Sequence, residues 1–124
     1  MSQKKILLVE DNEFNRKIIR DLLAHYPYDL MEAHDGEAGI EAARREKPNL
    51  IIMDVQLPKM SGLDATRQIR AEPEIAKIPI IVVTSFALSG DDKKAMDAGA
   101  SAYLAKPYSP RQLLEAIQKW LGDA

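Results

Sequence analysis

Cysteine is absent from the 124 residues, which excludes a disulfide frame, a thiolate metal site and a cysteine nucleophile. No apolar run approaches the roughly 20 residues that a membrane span needs. The apolar stretch nearest the N-terminus, Ile6 to Val9, is too short for the core of a signal peptide. The expected compartment is therefore the cytoplasm, with no membrane contact. Lysine and arginine number 17 against 19 acidic residues, and they do not cluster. The basic stripe of a nucleic-acid binder is missing, so no direct nucleic-acid contact is expected. Six glycines and seven prolines are scattered, which excludes a collagenous or low-complexity chain. What remains is an ordinary globular balance, 46% hydrophobic and 29% charged, in a length that suits one domain.

Three short apolar runs stand out: Ile6-Leu7-Leu8-Val9, Leu50-Ile51-Ile52-Met53 and Ile80-Ile81-Val82-Val83. None alternates with polar residues, the pattern of strands covered on both faces in a parallel sheet. Two weaker strands are expected at Asp29–Ala33, mixed as an edge strand is, and at Ala102–Leu104. Helical patterns fill the gaps. Ile18, Ile19, Leu22 and Leu23 make a core stripe with Asn12 as cap. Further helices are expected at Glu37–Arg45, at Leu63–Arg70 and, more weakly, at Ser89–Asp97, which Gly99 ends. A last stripe, Leu113, Leu114, Ile117, Trp120 and Leu121, starts at Ser109-Pro110 and closes at Gly122, with Trp120 expected in the core. Strand and helix alternate five times. This implies an α/β domain with a doubly wound parallel sheet and helices on both faces.

The residues that follow the buried runs are polar. Glu10 and Asp11 follow Val9, Asp54 follows Met53, Thr84 follows Val83, and Lys106 follows the fifth strand. In a parallel sheet these positions share the carboxyl edge, where ligands of such folds bind. Taken singly, each is an ordinary capping or surface group. Together they bring three carboxylates, a hydroxyl and an ammonium to one crevice. Clustered carboxylates repel unless a cation intervenes, and an oxygen-only donor set suits a hard ion such as Mg²⁺. Aspartate can act as a nucleophile and become an aspartyl phosphate. The set points to phosphoryl transfer onto an aspartate, with a cation and a lysine stabilising the charge.

These residues resemble the receiver domain of two-component response regulators, the CheY-like superfamily, over essentially the whole chain. The likeness is carried by Glu10-Asp11-Asn12, Asp54, Leu57-Pro58-Lys59-Met60-Ser61-Gly62, Thr84-Ser85, Asp97-Ala98-Gly99-Ala100 and Tyr103-Leu104-Ala105-Lys106-Pro107. Within the family, Glu10 to Asn15 and Asp54 to Pro58 are similar to stand-alone regulators of the DivK type and to receivers of hybrid kinases.

The resemblance implies a five-stranded sheet of flavodoxin-like order 2-1-3-4-5. It implies Asp54 as phosphoacceptor, Asp11 as a direct Mg²⁺ (or Mn²⁺) ligand, Glu10 as a ligand through water, and the backbone carbonyl of Gln56 as a further ligand. Thr84 and Lys106 would contact phosphoryl oxygens, and the Lys106-Pro107 peptide would be cis. Thr84 and Tyr103 would form the switch that alters the face of the fourth helix, fifth strand and fifth helix. Gln56 and Phe86 occupy the positions that tune the lifetime of the phosphoryl group, and their lack of charge suggests modest self-dephosphorylation. The expected donor is a sensor histidine kinase or a histidine phosphotransfer protein, docking by Phe14, Asn15 and Ile18 on the first helix. The expected output is a downstream protein target, reached as a monomer or as a weak, phosphorylation-dependent dimer. Neither His25 nor His34 sits beside the crevice, and both are expected to be structural.

The main alternative is an aspartate-nucleophile phosphatase of the haloacid-dehalogenase type. That class carries Asp-x-Asp after its first strand, whereas here the aspartate follows the third strand and Gln56 stands at the second position. A flavin or nucleotide carrier is disfavoured by Glu10-Asp11, which would repel a phosphate there. The five strand-helix units use nearly all of residues 1–124, so the expectation is a single receiver with no output domain.

Overall fold

A computed structural model of the chain describes residues 3–85 and 91–122. The elements run β1 (Lys4–Val9), α1 (Glu13–Leu23), β2 (Tyr28–Ala33), α2 (Gly36–Glu46), β3 (Leu50–Asp54), α3 (Gly62–Ala71), β4 (Ile80–Thr84), α4 (Asp91–Ala98), β5 (Ala102–Ala105) and α5 (Pro110–Leu121). The strands pair in parallel in the order β2-β1-β3-β4-β5, the flavodoxin-like order. The three apolar runs form the inner strands β1, β3 and β4, and the mixed segments form the edges.

Successive strand side chains point to opposite faces. Leu7, Val9, Ile51, Met53, Ile80 and Val82 therefore enter one core, closed by Ile40 of α2, Ile69 of α3 and Ala95 of α4. Ile6, Leu8, Leu50, Ile52, Ile81 and Val83 enter the other, closed by Ile19 and Leu23 of α1 and by Leu113 and Ile117 of α5. An unbroken apolar run is thus the right sequence for an inner strand, because both of its faces are covered.

Four helices start on side-chain caps that accept otherwise unpartnered backbone N–H groups. Asn12 accepts from Asn15, Asp35 from Ala38, Ser61 from Leu63 and Ser109 from Gln112, and the Gln112 side chain returns the favour to the Ser109 amide. Each such cap is worth about 1 kcal/mol. Together they place the helix starts beside the carboxyl edge of the sheet. At the opposite end of β4, the part-buried Arg70 of α3 donates to the carbonyls of Gly99, Ala76 and Ile78 and to Ser101 Oγ.

Two stripe residues differ from expectation. Ile18 is 49% exposed and Trp120 is 39% exposed. Ile18 lies about 100° round the helix from Ile19, and the sheet covers only the Ile19 and Leu23 side of α1. Trp120 is displaced by about 60° from Ile117 and lies beside the Lys119 ammonium, 5.8 Å from the ring centroid. The Ser89 cap expected for α4 lies outside the described residues, and the described helix begins at Asp91. Among the described residues, no helix is long and apolar enough to cross a membrane.

Gly62 shows how tightly the site is braced. A Cβ there would stand 2.0 Å from the Asp54 carbonyl oxygen and 3.0 Å from Val55 Cα. Gly62→Ala is therefore expected to cost about 3 kcal/mol in urea unfolding, the upper range for overpacking. Gly122 has a φ of +80° and nothing within 4 Å of its Cβ position. Gly122→Ala is expected to cost about 1 kcal/mol, from backbone conformation alone.

Candidate functional site at the carboxyl edge of the sheet

Parallel pairing sets the strand ends side by side. Val9 stands opposite Met53, Asp54 opposite Val83, and Thr84 opposite Ala105. Glu10, Asp54, Thr84 and Lys106 are consequently drawn from neighbouring strands to one place. Glu10, Asp54 and Thr84 are all buried, while Asp11 is exposed. The Lys106 ammonium lies 3.2 Å from Glu10 Oε1 and 3.4 Å from Asp54 Oδ2. Oxygens of Glu10, Asp11 and Asp54 all fall within 4.8 Å of one another. The Lys106-Pro107 peptide is cis.

Two buried carboxylates facing one lysine cannot both be ionised cheaply. Burial, then the neighbouring Glu10 charge, pushes the Asp54 carboxyl up to about 7, against the opposing pull of Lys106 and the Gln56 amide. Burial also raises Glu10. For Glu10, however, the Asn12 N–H, the hydrogen bond shared with Asp54 and the Lys106 charge together outweigh burial and hold it below the usual carboxylate range. With all three carboxylates ionised, one ammonium leaves two negative charges uncompensated. A hard divalent cation matches that deficit and the all-oxygen donor set. Glu10, Asp11 and Asp54 therefore fit Mg²⁺ or Mn²⁺.

The walls of the site hold groups whose part was not evident from sequence. Arg16 Nη1 donates to the Glu10 carbonyl at 2.7 Å, fixing the turn that carries the two acidic residues. Asn12 N–H donates to Glu10 Oε2 at 3.1 Å, and Asn15 Nδ2 lies 3.5 Å from Glu10 Oε1. Tyr108 stands beside the cluster, and burial, then the Glu10 and Asp54 charges, raises its phenol to about 12. Gln56 uses both its backbone and its side chain. Its N–H donates to Asp54 Oδ1, and its side-chain amide bonds Thr84 Oγ1 and the Ser85 N–H. The resemblance to receiver domains implied Gln56 as a site residue but did not indicate that bridge.

Tyr103 is half-buried on β5, opposite Val82, and packs against the core on the α2–α4 side. Phe14 is 69% exposed. A groove of about 490 Å³ runs from Glu10 and Lys106 past Asn15, Ile18 and Tyr108, so Asn15 and Ile18 open toward the crevice. His34 and His25 are both exposed. Phe86 lies outside the described residues.

The response regulator receiver domain family matches residues 6–118. The polar-differentiation response regulator DivK of Brucella anthropi is 40% identical over 121 residues, 98% of each chain, and that of Brucella ovis is equally similar. Among solved structures, the receiver domain of sensor histidine kinase PA1611 from Pseudomonas aeruginosa PAO1 contains a magnesium ion coordinated in its active site cleft. It is 38% identical, with a TM-score of 0.89 over 98% of this chain and 100% of that one. The chemotaxis response regulator CheY4 of Vibrio cholerae is 26% identical, with a TM-score of 0.88 over 95% of this chain and 98% of that one.

The raised Asp54 carboxyl makes stability depend on pH with a definite sign. Between the ordinary aspartate range and about pH 7, the folded chain holds a proton that the unfolded chain has lost. Stability of the cation-free protein is therefore expected to fall as pH rises through that window. Asp54→Asn is expected to abolish this slope and to stabilise the protein at pH 8 by roughly 1–3 kcal/mol. Saturating Mg²⁺ is expected to flatten the slope in the native sequence. Thermal melts from pH 5 to pH 8, with EDTA or with Mg²⁺, measure both effects.

Proposed function

Since the chain belongs to the response regulator receiver domain family, we propose that it accepts a phosphoryl group from a phosphohistidine onto Asp54 and passes the change on by protein contact. The observation that carries this reading is the Lys106 ammonium, set between the buried Glu10 and Asp54 carboxylates. The lysine offsets part of the buried negative charge, and it is also well placed to receive an anionic group arriving at Asp54.

In the proposed reaction an Asp54 oxygen attacks phosphorus and the P–N bond of the phosphohistidine breaks. The imidazole nitrogen leaves with the bonding pair, and an acyl phosphate forms on Asp54. Attack requires the ionised carboxylate, so Lys106 serves first by favouring that form and then by neutralising phosphoryl oxygens. The Thr84 hydroxyl donates to another of those oxygens. Asp11, Asp54 and the Gln56 carbonyl would hold Mg²⁺ or Mn²⁺, with Glu10 acting through water, and the ion would supply the two positive charges that the cluster lacks. Hydrolysis returns the carboxylate and inorganic phosphate.

The docking surface proposed for the donor is the groove lined by Asn15 and Ile18, together with the exposed Phe14 on the same helix. Exposed aromatic and branched side chains beside a buried acceptor provide anchors of the kind that dominate such interfaces. The donor would be a sensor histidine kinase or a histidine phosphotransfer protein. The proposed output surface is the α4, β5 and α5 face, reached through Thr84 and Tyr103, with Met96 of α4 50% exposed there. A phosphatase of the haloacid-dehalogenase type would need a second acid where Gln56 stands. The Gln56 side chain is a neutral amide, already bonded to Thr84 and Ser85.

Acetyl phosphate with Mg²⁺ is expected to add one phosphoryl group per chain by intact-mass measurement. Asp54→Asn is expected to abolish labelling, and Lys106→Ala to slow it by about 100-fold or more. Undiminished labelling of Asp54→Asn contradicts the assignment. Phe14→Ala is expected to lower kcat/KM about tenfold with a phosphohistidine protein and by far less with acetyl phosphate. Equal losses with the two donors contradict a docking role.

A further inference from the structure

Gln56 joins two parts of the site that have no direct chain connection. Its backbone N–H donates to Asp54 Oδ1 at 3.2 Å. Its side-chain Nε2 donates to Thr84 Oγ1 at 2.7 Å, and its Oε1 accepts from the Ser85 N–H at 3.1 Å. The orientation of the amide is fixed by chemistry. Turned over, it would set its NH₂ against the Ser85 N–H, donor against donor. One half-buried residue therefore grips the carboxylate with its main chain and the end of β4 with its side chain.

We infer that Gln56 is a positioning residue that latches Thr84 and Ser85 in the unphosphorylated arrangement, and that breaking this latch is part of the switch. The inference rests on the proposed phosphorylation of Asp54. Two effects of an acyl phosphate act on the latch in the same direction. Forming the acyl phosphate, a mixed anhydride, removes negative charge from the Asp54 carboxyl, which weakens the charge-assisted bond from the Gln56 N–H. Travel of Thr84 toward the phosphoryl oxygens stretches both side-chain bonds of Gln56, since the Thr84 hydroxyl and the Ser85 amide move as neighbours on one backbone. The latch thus favours the resting state until phosphoryl contacts replace it, the behaviour of a two-state element biased from one site. It also gives the uncharged residue at this position a task besides tuning the lifetime of the phosphoryl group.

The test compares the native chain with Gln56→Met, which keeps side-chain length without hydrogen bonds, and with Gln56→Ala. Amide exchange at Ser85 is followed by NMR in the unphosphorylated protein, and initial labelling by acetyl phosphate with Mg²⁺ is followed by mass. Both variants are expected to exchange Ser85 faster and to label at least about fivefold faster, the smallest population shift expected from losing two net hydrogen bonds. Unchanged Ser85 exchange, or faster exchange with labelling unchanged or slower, overturns the latch. Labelling of the native chain in the same experiment separates the two ideas. If it labels and the variants do not accelerate, only the latch fails; if it does not label at all, the proposed phosphorylation fails first and the latch loses its role in switching.

Discussion

Two buried carboxylates share one ammonium, and the rest of the site is arranged around that imbalance. Glu10 and Asp54 come from adjacent strands, and Lys106 reaches both from the end of the fifth. Such a cluster is costly to bury unless each group is held in place and the remaining charge is answered. The holding is visible. Asn12 and Arg16 fix the side chain and the carbonyl of Glu10, and the Gln56 amide fixes Asp54. Gly62, at the first turn of α3, lies against the Asp54 carbonyl where no side chain fits. The charge that remains is what a hard cation supplies.

The same arrangement connects the site to the surface. Asp54 ends β3, Thr84 ends β4, and the Gln56 side chain spans the two ends. From Thr84 the pairing of β4 with β5 continues to Tyr103, which stands opposite Val82. A change of charge at a buried aspartate therefore meets, within two residues, a side chain bonded to Thr84 at the end of a different strand and to Ser85 just after it. Close packing of strands and helices favours discrete alternative arrangements over gradual deformation. The groove past Ile18 and Tyr108 reaches the same cluster from the α1 side, with Ser85 also on its wall.

Local features were legible in the sequence and distant pairings were not. The three inner strands follow from unbroken branched runs, and the starts at Asn12 and Ser109 act within three residues of themselves. The polar residues after each strand identify the edge because parallel topology leaves them nowhere else to converge. Ile18 and Trp120 mislead for one reason. Helical spacing tells which side of a helix is apolar, but how wide a strip the sheet covers is set by packing. The Gln56 bridge joins residues 28 apart, and Tyr108 lies far along the chain from Glu10. No local pattern encodes either contact. Arg16 was closer to legible, four residues after its cap, yet an arginine there is equally suited to a solvent-facing ion pair with Glu13.

Asp54 is proposed to carry the phosphoryl group as an acyl phosphate. Borohydride reduction of the labelled protein tests it most directly, because it converts an aspartyl phosphate to homoserine and marks the residue permanently. Homoserine is expected at position 54 in the peptide map, present only after treatment with phosphodonor and Mg²⁺. Homoserine at another acidic residue, or stable phosphate on a hydroxyl or imidazole with none at position 54, would contradict it.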